Sequence, residues 1–417
     1  MKLVIVGGGS QSTPALFLAK DVAEHLHALD VTLVGRSREK LAAVARAIGV
    51  LTEPARYHVA ISQELATVLP GTDVVVLQAR FGGYDGRTYD ERFPLSFDIP
   101  GDEGLGPGGL AGAWRSWPQL RELLSEIERC APQATVVLLT SPLGVLTRCA
   151  VAAFPALRLF GLCELPWTTL QDVCAVTGSD PYAVTFDYAG TNHLGWFDRI
   201  DANGRDLIEG YSWSRANATG FPSMVLIETL RAVPLKYFRL HYDFAASVEK
   251  QKASVARGAV LAALESEAIA AFGTRERAST LSALARRPAP WYAHAVAPFL
   301  GGALGIDSST PLFLTTRNGS YLPELADDDV VEIPHRYLDG VLHPIYRRNA
   351  LSPRLTADLV SFVEYERAAA SAVLQESHEG LVEALLLHPW VSTRATAAAL
   401  AGAVYAGTDP VAAKAPR

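Results

Sequence analysis

The sequence predicts an α/β fold, in which an N-terminal, Rossmann-like doubly wound parallel sheet is followed by a C-terminal α+β part that is mostly helical. The first observation is an apolar run at residues 3–6 that ends in three glycines, as a buried parallel strand does beside a dinucleotide. The second is the alternation of apolar runs with helical patterns up to about residue 163. The third is the largely helical pattern that begins at about residue 224.

The first strand and the turn after it read MKLVIVGGGSQSTP and have the composition of a phosphate-binding element. Gly7, Gly8 and Gly9 allow the backbone to approach a ligand closely, and Ser10 precedes a helix predicted to begin near Pro14. The N-terminus of such a helix attracts a pyrophosphate. A plain strand-to-helix turn has a similar composition, so this stretch alone does not establish a dinucleotide site.

The end of the second predicted strand bears on which dinucleotide would bind. Gly35 stands where an NAD site carries an acidic residue for the ribose, and Arg36 and Ser37 follow it. An arginine at this place suits the 2′-phosphate of NADP. The sequence therefore leaves both NAD and NADP open.

The remaining strands and helices of the first half follow from the same patterns. Strands are predicted at residues 31–34, 57–61, 74–78, 135–139 and 158–163, with helices at 40–48 and 119–130. Residues 80–118 are rich in glycine, proline and charge, and we predict that they form a long functional loop.

The second half of the chain is predicted to be mainly helical. Its elements are a strand at 184–189, a hairpin turn at 201–204, a helix at 255–272, a loop-and-strand segment at 311–334, helices from 356 onward and a frayed tail from about 414. We predict two domains, a dinucleotide-binding domain at residues 1–165 and a catalytic and oligomerisation domain at residues 166–417.

Composition and charge exclude several classes of protein. The 417 residues are 49% hydrophobic and 19% charged, as in a globular protein with a large core. The 37 basic and 44 acidic residues are interspersed and give a net charge of −7, so neither nucleic acid nor an anionic membrane is an expected partner. We see no signal peptide and no stretch of roughly 20 apolar residues, and therefore expect a cytoplasmic protein. The four cysteines form no C-x-x-C pair, which argues against structural zinc.

Three separated segments carry side chains suited to chemistry. Residues 80–109 follow a predicted strand end, where ligands bind in open α/β sheets. Cys163 and His193 would be good ligands for a divalent transition metal, although a buried cysteine and a core histidine are the commoner explanation of such a pair. Tyr237 lies beside Lys236 and Arg239, which would lower its pKa and suit it as a base, although an aromatic residue on a helix usually belongs to the core.

The motifs follow one another in a recognisable order. In the order of the chain they are GGGSxxTP, RxGGxxGRxxDE with GxExxGxGG, Cys-x-x-Pro, NHLGWF, PxxYxR, WY, and RNGS with DDxVxEIP. This order resembles that of the family 4 glycoside hydrolases, over about residues 1–390. Seven segments in the same order are a far more specific signal than any one of them.

The resemblance implies an NAD- and metal-dependent glycosidase with a fold like that of lactate and malate dehydrogenases. In that family NAD⁺ removes hydride from C3 of the sugar, a tyrosine takes the C2 proton, the aglycone leaves, water adds and hydride returns. The metal, usually Mn²⁺, bridges the C2 and C3 oxygens. The Cys-x-x-Pro segment is most similar to that of members acting on 6-phospho-β-glucosides. We therefore expect a small β-glycoside as substrate, with or without a 6-phosphate, and a homodimer or homotetramer.

The resemblance also implies roles for individual residues. Cys163 and His193 match the metal ligands, and Tyr237 matches the base. The residues matched to the cofactor are Gly7, Gly8, Gly9 and Ser10, to which we add Arg36; those assigned to the substrate are Arg87, Asp90, Glu103, Ser141 and Asn192.

Three departures from the family pattern concern the ligands. Ser141 replaces an asparagine, Asp102 replaces a glutamine and adds a carboxylate, and Gly35 replaces the ribose-binding acid. Two alternatives to the glycosidase are a NAD(P)-dependent 2-hydroxy-acid dehydrogenase of the lactate and malate type and a dinucleotide sensor without catalytic activity. The dehydrogenase would leave the segments around Cys163 and Tyr237 without a role.

Overall fold

The computed structural model describes residues 1–53, 57–209, 213, 224–306 and 308–407, and two sheets organise these residues. The strands are β1 (Lys2–Val6), β2 (Asp30–Val34), β3 (Ala60–Ser62), β4 (Val74–Leu77), β5 (Thr135–Leu138), β6 (Arg158–Cys163), β7 (Thr185–Thr191), β8 (Leu194–Ala202), β9 (Arg205–Asp206), β10 (Val233–Pro234), β11 (Leu312–Arg317), β12 (Val330–Leu338) and β13 (Val341–Pro344).

The larger sheet confirms the predicted Rossmann-like architecture. Its order is β13-β12-β11-β6-β5-β4-β1-β2-β3, and the six strands β1 to β6 are parallel. Alternate residues of β1 enter two cores, since Leu3 and Ile5 belong to one apolar cluster and Val4 and Val6 to the other. Burial on both faces explains the continuous apolar runs in the sequence.

The second half of the chain extends this sheet. Strand β11 pairs antiparallel with β6, and β12 and β13 follow antiparallel beyond it. The sheet thus contains strands from both predicted domains, and the boundary after residue 165 remains a prediction.

A smaller antiparallel sheet consists of β7, β8, β9 and β10. Strand β8 turns into β9 at Asn203 and Gly204, whose φ angles are 54° and 81°. Two successive positive φ angles are those of a type I′ hairpin turn, which confirms the turn predicted at 201–204.

Helices cover the faces of the larger sheet and make up most of the second half. They are α1 (Lys20–Ala23), α2 (Arg38–Leu51), α3 (Leu65–Val68), α4 (Gly83–Arg92), α5 (Gly106–Cys130), α6 (Leu143–Ala153), α7 (Leu165–Thr177), α8 (Met224–Leu230), α9 (Arg239–Tyr242), α10 (Phe244–Lys252), α11 (Arg257–Gly273), α12 (Arg277–Arg286), α13 (Ala297–Ala303), α14 (Pro353–Leu374), α15 (His378–Leu387) and α16 (Arg394–Ala406). Short 3₁₀ helices lie at Thr13–Leu18, Leu26–Ala28, Phe93–Phe97 and Lys236–Phe238, and a π-helix lies at Tyr292–Val296.

The prediction of a long loop at residues 80–118 is wrong, because α4 and the first half of α5 lie there. Glycine disfavours helix when nothing else contributes, which is why the composition pointed to a loop. Here the glycines permit close packing: a Cβ on Gly108 would lie 2.3 Å from the Asp90 carbonyl oxygen, and one on Gly109 would lie 2.7 Å from the Gly104 carbonyl carbon.

Other differences from the predictions are small. The helix expected near Pro14 is a 3₁₀ turn, and β3 is shorter than the strand predicted at 57–61. The tail predicted from about residue 414 lies outside the described residues. All four cysteines are free. None of the helices in the described part of the chain has the length and apolar character needed to cross a membrane.

Candidate active site

A cavity of about 670 Å³ opens at the carboxyl ends of the parallel strands. One end lies at the glycine turn after β1, and the other lies between the end of β6, the β7–β8 turn and the 3₁₀ helix at Lys236–Phe238. Ligands bind at this edge in open α/β sheets. The predicted site residues that line it are Gly7, Gly9, Ser10, Arg36, Arg87, Glu103, Ser141, Cys163, Asn192, His193 and Tyr237.

Hydrogen bonds and close packing hold the glycine turn against neighbouring parts of the chain. The amides of Gly7 and Gly8 both donate to the Val34 carbonyl oxygen, at 2.9 and 3.0 Å, which ties the turn to the end of β2. Gly7 has a φ of 86°, and a Cβ there would lie 2.8 Å from the Ala79 amide nitrogen. Gly8 does not line the cavity; a Cβ there would lie 2.8 Å from the Leu33 Cβ, so its role is close packing on β2.

Cys163 and His193 both line the far end of the cavity, and their role as a pair of metal ligands stays a prediction. Cys163 is the last residue of β6, and His193 lies in the turn between β7 and β8 with a φ of 68°. The His193 Nδ1 atom is buried and has no hydrogen-bond partner. Burial lowers the pKa of His193 to about 4, against the opposing effect of Glu103, so the imidazole is neutral and retains a free lone pair. The described residues contain no cluster of three or more His, Cys, Asp or Glu side chains that could hold a metal ion.

A buried polar network orients the residue next to His193. The Asn192 Nδ2 atom donates to Glu332 Oε1 at 3.2 Å, and the Tyr188 hydroxyl donates to Glu332 Oε2 at 2.5 Å. Glu332 is fully buried, and burial raises its pKa to about 8, although the two hydrogen bonds oppose this. Sequence analysis gave Glu332 no role, because nothing local in DDxVxEIP shows that β12 passes behind the β7–β8 turn.

Tyr237 lies flat against His193. The two ring centroids are 4.3 Å apart and the planes differ by 6°, which holds the phenol in one orientation at the cavity wall. The expectation that neighbouring cations would lower its pKa is wrong. Burial raises the pKa of Tyr237 far above its usual value, the carboxylates of Asp102 and Glu103 raise it further, and Arg87 only partly opposes them.

An ion-pair cluster forms one side wall of the cavity. Glu103 pairs with Arg80 and, at 2.5 Å, with Arg87, which in turn contacts Glu91 at 2.7 Å. Burial alone would raise the pKa of Glu103, but the two arginines hold it below its usual value. The Ser141 hydroxyl donates to the Glu103 carbonyl oxygen at 3.3 Å.

Asp90, predicted to bind substrate, does not line this cavity. It is 2% exposed and accepts hydrogen bonds from Arg115 at 2.5 and 3.1 Å, beside a small cavity of about 40 Å³ that shares part of its lining with the main cavity. A carboxylate that is held by both arms of a buried guanidinium has little capacity left for a sugar.

The added carboxylate of Asp102 also stays out of the cavity lining. It accepts from the amides of Gly104 and Leu105, at 2.8 and 3.1 Å, and so closes the turn before α5. Gly104 leaves space beside His193, a predicted metal ligand, since a Cβ on Gly104 would lie 3.4 Å from His193 Nδ1.

The WY motif, Trp291 and Tyr292, lies at the start of the π-helix and lines the cavity. The Tyr292 hydroxyl donates to Gln78 Oε1 at 2.5 Å, and Gln78 Nε2 donates to the Gly7 carbonyl oxygen at 3.2 Å. Arg287 lies over the Trp291 ring at 5.8 Å. A π-helix is a common feature of functional sites, but it has no simple sequence signature. Asn318 of the RNGS motif does not line the cavity, and its side chain forms hydrogen bonds within its own loop, to Leu322, Leu325 and Ala326.

The fold and the cavity together are those of a Rossmann-fold enzyme. Residues 2–178 match the model of the family 4 glycosyl hydrolases, and residues 188–391 match the model of the C-terminal domain of the same family. The chain therefore belongs to the family 4 glycosyl hydrolases, and is not the dehydrogenase considered as an alternative.

Individual relatives agree with this assignment. A 6-phospho-β-glucosidase of Thermotoga maritima is 25% identical over 397 residues, covering 93% of this chain and 94% of that protein. The 6-phospho-β-glucosidase of Escherichia coli is 24% identical over 428 residues, with coverage of 96% and 94%.

Solved structures show the same fold. The Thermotoga maritima 6-phospho-β-glucosidase, solved with manganese, NAD⁺ and glucose-6-phosphate, superimposes with a TM-score of 0.87 at 24% identity over 98% of both chains. Malate dehydrogenase from Plasmodium falciparum gives a TM-score of 0.55 at 12% identity, covering 90% of this chain and 99% of that one. The predicted likeness to the malate dehydrogenase fold is thus confirmed.

Proposed function

We propose that this chain hydrolyses a 6-phospho-β-glycoside, with a bound nicotinamide adenine dinucleotide and a divalent metal, Mn²⁺ above all. The observation that carries the proposal is the single cavity that joins the glycine turn to Cys163, His193 and Tyr237. The names of the full-length relatives support the substrate class, and the ligands in the Thermotoga maritima structure support both cofactors.

The residues present fit both groups. A neutral imidazole with an unpartnered, buried Nδ1 and a neighbouring cysteine are suitable ligands for a divalent transition metal. The turn at Gly7 excludes any side chain and so leaves the backbone open to a pyrophosphate. When bound, the dinucleotide would supply a reversible hydride acceptor for the sugar, and the metal would supply a Lewis acid.

We assign to Tyr237 the removal of the C2 proton by its phenolic oxygen. The flat stack on His193 keeps that oxygen at one place on the wall, and Arg87 partly opposes the rise in its pKa that burial, Asp102 and Glu103 cause. The side chain of Asn192 is held by its hydrogen bond to Glu332. The hydrogen-bonding groups of its amide that this bond does not use would be available to the sugar hydroxyls.

The charges of the cavity support an anionic substrate. Lys236 and Arg257 both line it, and neither forms an ion pair with any residue in the described ranges. Asp102 does not line the cavity and accepts hydrogen bonds within its own turn, although its carboxylate is near enough to raise the pKa of Tyr237. The cavity therefore keeps cations that a 6-phosphate would satisfy.

Hydrolysis of paired p-nitrophenyl glycosides tests the proposal. Each glycoside is supplied with and without a 6-phosphate, with either dinucleotide, and with Mn²⁺ or a chelator. We expect release of nitrophenol from the phosphorylated β-glycoside only when dinucleotide and metal are both present, without net reduced cofactor. Stoichiometric reduced cofactor without release of nitrophenol would contradict the proposed hydrolysis.

The assignment of Tyr237 has its own test. In deuterated water, C2 of the sugar should exchange its proton at least 100-fold more slowly in Tyr237→Phe than in the unaltered protein, an order of magnitude typical of losing a general base. Tyr242→Phe is the matched control, because Tyr242 bonds to Asp358 and does not line the cavity. An exchange rate near that of the unaltered protein would place the base elsewhere.

We further propose a cytoplasmic location and a homodimer or homotetramer. Four free cysteines suit a reducing compartment. Sedimentation equilibrium of the purified chain measures the oligomeric state, and fractionation of the producing cells measures the location.

A further inference from the structure

We propose that the dinucleotide taken by this chain carries a 2′-phosphate, and that Arg36, with the hydroxyl of Ser37, binds that phosphate. The inference rests on the proposed function, which supplies the dinucleotide, and concerns the chemical form of its adenosine half.

The structure places residues 35–37 where the adenosine ribose is recognised in Rossmann sheets. The glycine turn is tied to Val34 through the amides of Gly7 and Gly8. A Cβ on Gly35 would lie 3.9 Å from the Gly9 amide nitrogen, so the residues after β2 run directly beside the turn. In this fold, a residue near the end of the second strand reads the 2′ position of the ribose.

The backbone does not require glycine at position 35. Gly35 has no positive φ, and a Cβ there would meet its nearest neighbour, Leu41 Cδ2, at the ordinary contact distance of 3.4 Å. A side chain would therefore fit. What glycine removes is the carboxylate that would accept a hydrogen bond from a 2′-hydroxyl and would repel a 2′-phosphate.

Arg36 is available to bind an anion. Its side chain is exposed and lines both the main cavity and an adjoining cavity of about 720 Å³ between α3 and α5. It forms no ion pair within the described part of the chain, and Gln63 holds its backbone by donating to the Arg36 carbonyl oxygen at 2.7 Å. Arg80 lines both cavities as well, but Glu103 already neutralises it.

The other charges nearby are mostly engaged. Lys40 is bound to Glu265 at 2.5 Å, which removes one carboxylate of the main cavity. In the adjoining cavity Glu126 lies 4.0 Å from Arg129. Glu64, at the N-cap of α3, and Glu122, on α5, also line the adjoining cavity. Among the residues that the structure describes, Arg36 thus forms no ion pair and lies next to the glycine turn.

Direct binding measurements test the inference without relying on activity. Dinucleotide-free protein is titrated calorimetrically with NAD⁺, NADP⁺, 5′-AMP and adenosine 2′,5′-bisphosphate. We expect NADP⁺ to bind at least about tenfold more tightly than NAD⁺, and the bisphosphate to exceed 5′-AMP by a similar factor, as one charge-assisted contact would give.

Three variants assign the effect to residues. Arg36→Ala should lose about tenfold or more in affinity for NADP⁺ and change little for NAD⁺, and Gly35→Asp should reverse the preference. Arg38→Ala is the matched control, because Arg38 is also exposed but lines neither cavity. Thermal unfolding of each variant verifies that it is folded.

Tighter binding of NAD⁺ by the unaltered protein would overturn the inference, as would an Arg36→Ala variant that weakens both dinucleotides equally. Neither result would contradict the proposed glycosidase activity. That proposal fails separately, if hydrolysis proceeds without any dinucleotide.

Discussion

Cys163 is the residue whose chemistry depends most on what the site holds. Its side chain is 7% exposed, and burial together with the carboxylates of Glu164 and Glu332 raises its pKa far above the usual value, so the thiol is neutral in the unliganded chain. We expect Cys163→Ser to weaken Mn²⁺ binding by at least about tenfold, since a hydroxyl is a poorer anionic ligand. Electron paramagnetic resonance of free Mn²⁺ measures the affinity.

The control for Cys163→Ser is Cys130→Ser, because Cys130 is half-buried at the end of α5 and outside the cavity. Dinucleotide affinity should stay unchanged in both variants. An unaltered Mn²⁺ affinity in Cys163→Ser would remove Cys163 from the ligand set.

Glu366 gives the stability of the fold a dependence on pH. It is 6% exposed on α14, packed against Gly144 of α6, and its Oε2 atom has no hydrogen-bond partner. Burial raises its pKa from 4.5 to about 7, although Arg148 opposes the shift. The folded state therefore holds a proton that the unfolded state releases between pH 4.5 and 7, so this contribution to stability is complete below pH 4.5 and is lost as the pH rises to 7.

We expect Glu366→Gln to remove this loss. The free energy of unfolding from urea titrations should fall between pH 5 and pH 8 in the unaltered protein by on the order of 3 kcal/mol more than in Glu366→Gln. Glu364→Gln, an exposed position on the same helix, should keep the full pH dependence. Identical pH profiles for both variants would mean that Glu366 is ionised in the fold.

Residue roles were predictable from the sequence only where a motif recorded them. The assignment of Cys163 and His193 as metal ligands came from the order of motifs, because thirty residues of chain give no indication that both line one cavity, and it stays a prediction. The pKa of Tyr237 was predicted wrongly, because sequence neighbours show which charges are near along the chain and not the burial that dominates here.

At the scale of elements, α4 and α5 are joined by a buried ion pair. Asp90 and Arg115 are 2% and 7% exposed, and Arg115 also donates to the Gly407 carbonyl oxygen at 3.1 Å. We expect Asp90→Ala to destabilise the fold by about 3–5 kcal/mol, since it leaves an unpaired charge in the interior. Urea unfolding measures the loss, and Glu122→Ala, at an exposed position on α5, should lose little.

A second variant distinguishes this structural role from substrate binding. Asp90→Ala combined with Arg115→Met should recover part of the lost stability, because no unpaired charge remains. A loss of activity in Asp90→Ala without any loss of stability would instead support the role in substrate binding that the sequence predicted.

The strands of the parallel sheet were predicted well and the helices around the cavity poorly, for one physical reason. A strand that is buried on both faces consists of a continuous run of apolar residues, as β4 does, and such a run is easy to recognise in the sequence. The start of α5 needs glycine for contact with the Asp90 and Asp102 carbonyl oxygens, and that requirement hides the helical pattern. Where two backbones approach this closely, packing outweighs the low helix propensity of glycine.

At the scale of the whole molecule, the second half of the chain completes the first. Strand β11 covers the edge of β6, pairing Phe313 with Cys163 and Leu314 with Leu162. About 150 residues separate the paired residues in the sequence, and no local pattern predicts such a pairing. For this reason β11 was predicted only as part of a loop-and-strand segment. The cavity likewise needs His193 and Tyr237 from beyond residue 178, where the N-terminal family model ends.

We therefore expect a fragment of residues 1–183 not to fold by itself. Without β11, the strand that carries Cys163 would become an edge with free backbone groups and buried apolar side chains exposed, which favours aggregation. Helix α6 would also lose its contacts with α14, among them Gly144 against Glu366. Expressed alone, the fragment should be insoluble or lack a cooperative thermal transition in circular dichroism; expressed together with residues 184–417 it should become soluble. A soluble fragment 1–183 that unfolds cooperatively would show instead that the first half is stable without the strands supplied by the second.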